Sequence, residues 1–190
     1  MSIVKRGGLA LLLVVIVTAL ATGCTSRAGT INTGWTTVAA DATTVYAALP
    51  NGEVIALDAT NGSTIWKYPV PQEGSSGGGL GKVLAPQSSG TAQPISGVYG
   101  EPVLTDDLVL VTSYNSRLYA FRRDPAAADR LAWEFAAGGP IIGSVAVYDG
   151  VAYFGSSDNQ VYAVDVNTGT AVWSKPFITE NWVWGAPAVD

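Results

Sequence analysis

The sequence predicts an all-β protein made of β-propeller blades, each a sheet of four antiparallel strands. Three observations carry that prediction. Two stretches, "VYAALPNGEVIALDATNGSTIW" (45–66) and "AYFGSSDNQVYAVDVNTGTAVW" (152–173), align without a gap, pairing Tyr46 with Tyr153, Ala56 with Ala163, Asp58 with Asp165, Gly62 with Gly169 and Trp66 with Trp173. Gly100, Gly143 and Gly185 open similar segments ("YGEPVLTD", "IGSVAVYD", "WGAPAVD") at spacings of 43 and 42. No window beyond the first 21 residues carries a helical period, whereas short runs such as "TVYAAL" and "EVIALDA" read as strands buried on both faces. Four short strands per repeat of about 42 residues is the requirement of a propeller blade.

The chain opens with a basic pair, Lys5 and Arg6, then an apolar run over 9–21. That run is shorter than the ~20 residues of a membrane-spanning helix and reads as a secretory signal. Leu20-Ala21-Thr22-Gly23-Cys24 resembles a bacterial lipobox, with Ala21 where Leu is usual. Residues 1–23 are therefore expected to be a lipoprotein signal peptide, Cys24 the lipidated first residue, and 24–33 ("CTSRAGTINT") a small, polar tether. Cys24 is the only cysteine, so an intramolecular disulfide is excluded.

Residues 34–190 then divide into a first blade over 34–68, an insert over 69–97, a second blade over 98–137, a third over 138–178 and the opening of a fourth over 179–190. "PNG" joins the second and third strands of the first blade as a hairpin turn, and Asn51, Asn115 and Asp158 fall at this turn in the three units. The insert is rich in Gly, Ser and Pro and is expected to be an exposed, largely flexible inter-blade loop, with room for part of it to be ordered by contacts at the rim, that folding does not require. "WGAPAVD" is expected to be the first strand of another blade, and eight blades would need well over ~300 residues. The expectation is thus a piece of a longer propeller, with apolar end faces that make it self-associate.

A single sheet cannot bury both its faces, but a row of sheets can. The recurring residues are the ones such packing needs. Asp58 and Asp165 end a strand and can accept backbone N–H bonds in the following turn. Gly62 and Gly169 supply its positive φ. Trp66 and Trp173 are expected to be buried against the neighbouring blade, and Ala56 and Ala163 are small where something bulky approaches. The pattern Ala-x-Asp-x-x-x-Gly-x-x-x-Trp is similar to the tryptophan-docking motif of the PQQ-like propeller repeat. The second unit departs from it: Arg122 replaces the Asp, "RRDPAAADRLAW" lengthens the turn, and Trp133 arrives three places late. The resemblance implies an eight-bladed fold and one of two activities, that of the quinoprotein alcohol dehydrogenases or that of the non-catalytic BamB-like lipoprotein scaffolds of envelope assembly.

Chemistry narrows the choice. The sequence has no histidine, which removes Ser-His-Asp catalysis and His-based metal sites. Beyond Cys24 it carries fifteen acidic and eight basic side chains, a balance that opposes nucleic-acid binding. "GGGLGK" fails as a phosphate loop, because Ser76 and Val83 stand where Gly and Ser or Thr are needed. "DVNTG" (165–169) fails as a calcium loop, with Pro176 at the closing Glu position, and "NGS" (61–63) reads as a turn rather than a glycosylation site. The dehydrogenases, by resemblance, hold the quinone with calcium and commonly a vicinal disulfide, which one cysteine cannot make. No catalytic residue, metal ligand or cofactor is therefore assigned; PQQ with calcium belongs to the dehydrogenase alternative. "ENWVWGAP" offers Trp182 and Trp184, either as packing for a fourth blade or as a candidate binding surface. The expected function is a lipid-anchored extracytoplasmic scaffold for envelope proteins, with a carbohydrate- or peptide-binding lipoprotein as a further alternative.

Overall fold

The computed structural model describes residues 35, 37–69 and 95–189. The signal, Cys24, the tether and most of the insert lie outside the described residues. Twelve strands form three antiparallel sheets, each in simple sequence order. The first holds β1 (Thr37–Ala40), β2 (Thr44–Ala48), β3 (Val54–Asp58) and β4 (Thr64–Tyr68). The second holds β5 (Val103–Leu104), β6 (Leu108–Ser113), β7 (Arg117–Arg122) and β8 (Leu131–Ala136). The third holds β9 (Ala146–Tyr148), β10 (Val151–Ser156), β11 (Gln160–Asp165) and β12 (Phe177–Ile178). These sheets are the propeller blades that the repeat predicts.

Register explains why the central strands look apolar throughout. Tyr46 pairs with Ala56 and Ala56 with Trp66, so these three share the face of the first sheet that meets the second. Val109, Val111, Tyr119 and Phe121 answer from the second sheet. The alternate residues Leu108, Leu110, Leu118 and Ala120 face the third sheet, where Ala152, Phe154, Tyr162 and Val164 meet them. The core is therefore two apolar layers, one at each joint, and the second sheet contributes a face to both.

The glycine period has a steric cause. A Cβ on Gly100 would lie 2.7 Å from the Gly143 carbonyl oxygen, and one on Gly143 would lie 2.7 Å from the backbone of Gly185. Each glycine lets the inner edge of one repeat approach the next. Two residues before each glycine a wedge enters the joint: Val98 and Ile141 are fully buried, and Val183 lies against Gly155.

Three expectations are corrected. The insert is not wholly exposed loop, because Ile95 and Gly97 at its end are buried and Ile95 belongs to the first core layer. "WGAPAVD" forms no strand among the described residues. The fourth strand of the third sheet is broken: Ala171 makes a single bridge to Val164, the chain loops out through Pro176, and pairing resumes only at Phe177 and Ile178. Proline lacks the N–H that a continuous ladder needs there.

Candidate functional site

The repeated motif builds the blade joint, and the joint between the second and third sheets shows how. Asp165 ends β11. Its Oδ1 accepts the backbone N–H groups of Asn167 (3.0 Å) and Thr168 (2.8 Å), and its carbonyl accepts that of Gly169 (2.8 Å). These bonds, the Thr168 N–H first among them, hold its carboxyl below the usual carboxylate range. Gly169 closes the turn at φ 70°. Trp133 of the second sheet docks on this turn. Its indole N–H donates to the Val166 carbonyl at 2.8 Å, and its ring occupies the space where a Gly169 Cβ would stand, 2.6 Å from Cδ2.

The joint between the first and second sheets is built differently, because the second unit lacks the Asp-x-x-x-Gly turn. Trp66 is buried at 7 % exposure against Tyr46, with ring centroids 6.0 Å apart. No turn carbonyl reaches its indole N–H, which has no acceptor among the described residues. Arg130 takes the place of the turn. Its guanidinium lies 4.5 Å from the Trp66 ring centroid and donates to the carbonyls of Arg122 (2.7 Å), Asp124 (2.8 Å) and Pro125 (3.2 Å). One buried arginine thus pins the lengthened loop and covers the tryptophan. Arg123 adds an inter-sheet tie by pairing with Asp41 and donating to the Tyr46 hydroxyl at 3.2 Å.

Trp173 departs from expectation. Its ring lies tilted against Tyr153 of its own sheet (5.8 Å), as that of Trp66 does against Tyr46, yet it is 38 % exposed. Its face of the third sheet has no opposing sheet among the described residues. Asp58, Gly62, Ala56, Ala163, Asp165, Gly169 and Trp66 all serve strand ends, turns or joints. None of them converges on a pocket with catalytic groups.

Two surfaces remain as sites. The first is an aromatic row at the end of the sheets that carries the turns after β2, β6 and β10. Trp35, Tyr99 and Tyr114 follow one another at ring separations of 5.6 and 5.9 Å, with Trp35 and Tyr114 exposed. Trp182 and Trp184 stack at 5.5 Å and are 63 % and 54 % exposed. Trp184 precedes Gly185 as Tyr99 precedes Gly100, so the repeat puts both at this end. The tryptophan pair belongs to a loop rather than to the face of a strand. Reading the sequence for strands misses Trp35, Tyr99 and Tyr114. The aromatic residue directly before a repeat glycine is the available signal for Tyr99, and Trp35 holds the same place before Thr36; Tyr114 carries no such signal.

The second surface is an open cavity of about 580 Å³ at the opposite end, between the second and third sheets, lined by Thr105, Asp106, Asp107, Arg122 and Asn167 among others. No group of three or more His, Cys, Asp or Glu among the described residues is gathered as a metal site. Buried hydroxyls serve the turns. Ser113 and Ser156 donate to the carbonyls of Ser96 and Gly139 at 2.7 and 2.8 Å. Tyr162 donates to Asp158 at 2.5 Å. Burial, followed by that bond, pushes the Tyr162 hydroxyl up to about 12.

The family model described as outer membrane protein assembly factor BamB matches residues 22–85 and 91–181. No curated protein matches the chain. Among solved structures, BamB from Moraxella catarrhalis is 18% identical over 74% of this chain and 35% of its own, with a TM-score of 0.50. The computationally designed Ika4 protein is 12% identical over 83% of this chain and 81% of its own, at 0.55. Sqt1 from Saccharomyces cerevisiae is 12% identical over 74% and 32%, at 0.53. At these identities the likeness is one of fold, and the chain spans about a third of the BamB structure's length.

Proposed function

The chain belongs to the BamB family of PQQ-like β-propeller proteins, and from that premise we propose that it is a non-catalytic scaffold that binds proteins of the cell envelope. The observation that carries this reading is the aromatic row. Large rings held on short loops between rigid sheets are what protein interfaces favour, since they bury area at little entropic cost. Tyr114 is exposed beside the closed joint of the first and second sheets, and Trp182 and Trp184 are exposed beside Gly185 at the outer side of the third sheet; none of the three belongs to either core layer. The signal-like start and the Gly23-Cys24 junction support a second part of the proposal: Cys24 carries a lipid that holds the scaffold outside the cytoplasm, at a bacterial membrane.

The test is affinity capture from envelope extract with the full chain and with a Tyr114→Ala, Trp182→Ala, Trp184→Ala variant. The reading expects a defined envelope protein to be retained by the parent and lost from the variant, with both melting alike. Retention of a carbohydrate or free peptide through the same residues would support the lipoprotein alternative. Cofactor absorbance on adding quinone and calcium would instead support the dehydrogenase alternative.

A further inference from the structure

The two ends of the sheets differ in charge. The turns after β2, β6 and β10 lie at the end of the aromatic row, and the turns before β2, β6 and β10 and after β3, β7 and β11 lie at the other. The row-end turns hold two carboxylates, Glu53 and Asp158, and Asp158 is taken up by the Tyr162 hydroxyl and the Gly138 N–H. The opposite end is acidic. Asp41, Asp106, Asp107 and Asp149 stand before β2, β6 and β10, and Asp58 and Asp165 at the ends of β3 and β11. The end of β7 and the long turn after it balance Asp124 and Asp129 with Arg122, Arg123 and Arg130, and Arg123 also pairs with Asp41.

The chain enters this frame at the row. The Trp35 N–H donates to the Val98 carbonyl at 2.9 Å, and that of Tyr114 to the Gly97 carbonyl at 2.8 Å. The two exposed rings thus flank Tyr99 on one short segment, which the buried Val98 fixes in the first joint. Tyr99 and Tyr114 belong to the middle repeat, so sheets added beyond the first or the third stack away from them. Residues 25–34 join Trp35 to Cys24. A chain of that length spans at most ~40 Å drawn out and about 17–20 Å as a relaxed coil. The five residues of β2 put the acidic end about 17 Å beyond the row. With that end turned to the membrane, the tether would have to run back along the sheets past its relaxed span, and the aspartates would face anionic headgroups.

We propose that the sheets stand with the aromatic row toward the membrane that holds the Cys24 lipid, and that the protein the row takes is embedded in that membrane and met at headgroup level. This rests on the lipid anchor and the scaffold reading above. Tyrosine and tryptophan suit that level, each with an apolar ring and a polar tip. The aspartates then face solvent, away from the anionic surface. With fifteen acidic against eight basic side chains beyond Cys24, the chain has no charge-driven hold on bare lipid, which favours a protein of the membrane as the occupant.

The test has two arms, both with the full chain. In the first, the lipidated protein is bound to vesicles of phosphatidylethanolamine and phosphatidylglycerol that carry a headgroup-attached quencher. Cys24 is the only cysteine and its thiol is consumed by the lipid, so Asn51→Cys and Thr43→Cys, beyond opposite ends of β2, each offer one thiol for a fluorophore. Most of the emission should be lost from position 51 and little from position 43, in proteins that melt like the parent. In the second arm, a photoreactive residue at position 114 is activated in cells, and the captured protein should stay in the membrane pellet after a carbonate wash. A floating protein quenched equally at 51 and 43, or more at 43, would overturn the orientation and leave the scaffold reading standing. Capture of a protein that carbonate releases would overturn the choice of partner. A parent that floats with the vesicles no better than Cys24→Ala would overturn the proposal together with the anchor it rests on.

Discussion

Gly169→Ala and Gly62→Ala form a matched pair. Both glycines sit at nearly the same positive φ, 70° and 73°, in turns with the same bonds. The backbone cost of placing a Cβ in this left-handed conformation is therefore shared, at roughly 1–2 kcal/mol. Only at Gly169 does the added carbon meet a neighbour, 2.6–2.8 Å from three atoms of the Trp133 ring. That ring cannot withdraw without giving up its 2.8 Å bond to Val166. Displacing a packed side chain costs about 1–3 kcal/mol, and losing the bond about 0.5–1.5 kcal/mol. Gly169→Ala should thus destabilise by about 1.5–4.5 kcal/mol more than Gly62→Ala. Urea unfolding followed by circular dichroism, in dilute protein where copies are separate, measures both. A Trp133→Phe background should shrink the difference, because the two sites share one contact. Equal losses at the two glycines would refute the reasoning: the turn would then matter only for its own conformation, not as a docking surface.

Arg130→Ala should cost about 2–4 kcal/mol in urea unfolding, since it exposes Trp66 and frees three carbonyl partners, and Arg130→Lys should recover only part. Tyr162 stays protonated in the folded state up to about 12, against 10.0 ordinarily. Its contribution is complete below pH ~10 and is lost as pH rises from there to about 12, so Tyr162→Phe should flatten the alkaline fall in melting temperature over that window. Asp165 has the opposite sign: its lowered carboxyl contributes stability that is lost as pH falls through the acid range, and Asp165→Asn should remove that part of the acid dependence. Mass spectrometry of the mature protein should find a diacylglyceryl-modified Cys24 at the N-terminus, and Cys24→Ala should abolish the modification.

Much of the fold is legible because the repeat writes packing twice. Trp66 and Trp173, or Gly62 and Gly169, recur at one spacing because each unit repeats the same turn and the same tryptophan–tyrosine contact within its own sheet. The glycine period likewise records a backbone approach that no side chain tolerates. A repeat does not say whether a given copy has a neighbour. That is why Trp66 is buried and Trp173 is not, although their strands read alike. The departure at Arg122 is visible in the sequence, but its compensation is not: Arg130 comes from the inserted loop, and only three dimensions bring it onto Trp66. Ile95 hides beside a Gly/Ser-rich run whose composition argues for exposure, while its own apolar side chain fills the first joint. The aromatic row is harder still, because Trp35, Tyr99 and Tyr114 are drawn from separate segments outside the strands and meet only when adjacent sheets stack.

The scaffold reading is tested most directly by photo-crosslinking in cells that make the full chain. A photoreactive residue replaces Tyr114 or Trp184 in the aromatic row, or Thr43 at the opposite end of the sheets as a control. The account predicts that positions 114 and 184 both capture the same envelope protein, and that Thr43 does not. Equal capture from all three positions, or none from the row while purified protein takes up quinone and calcium, would contradict it.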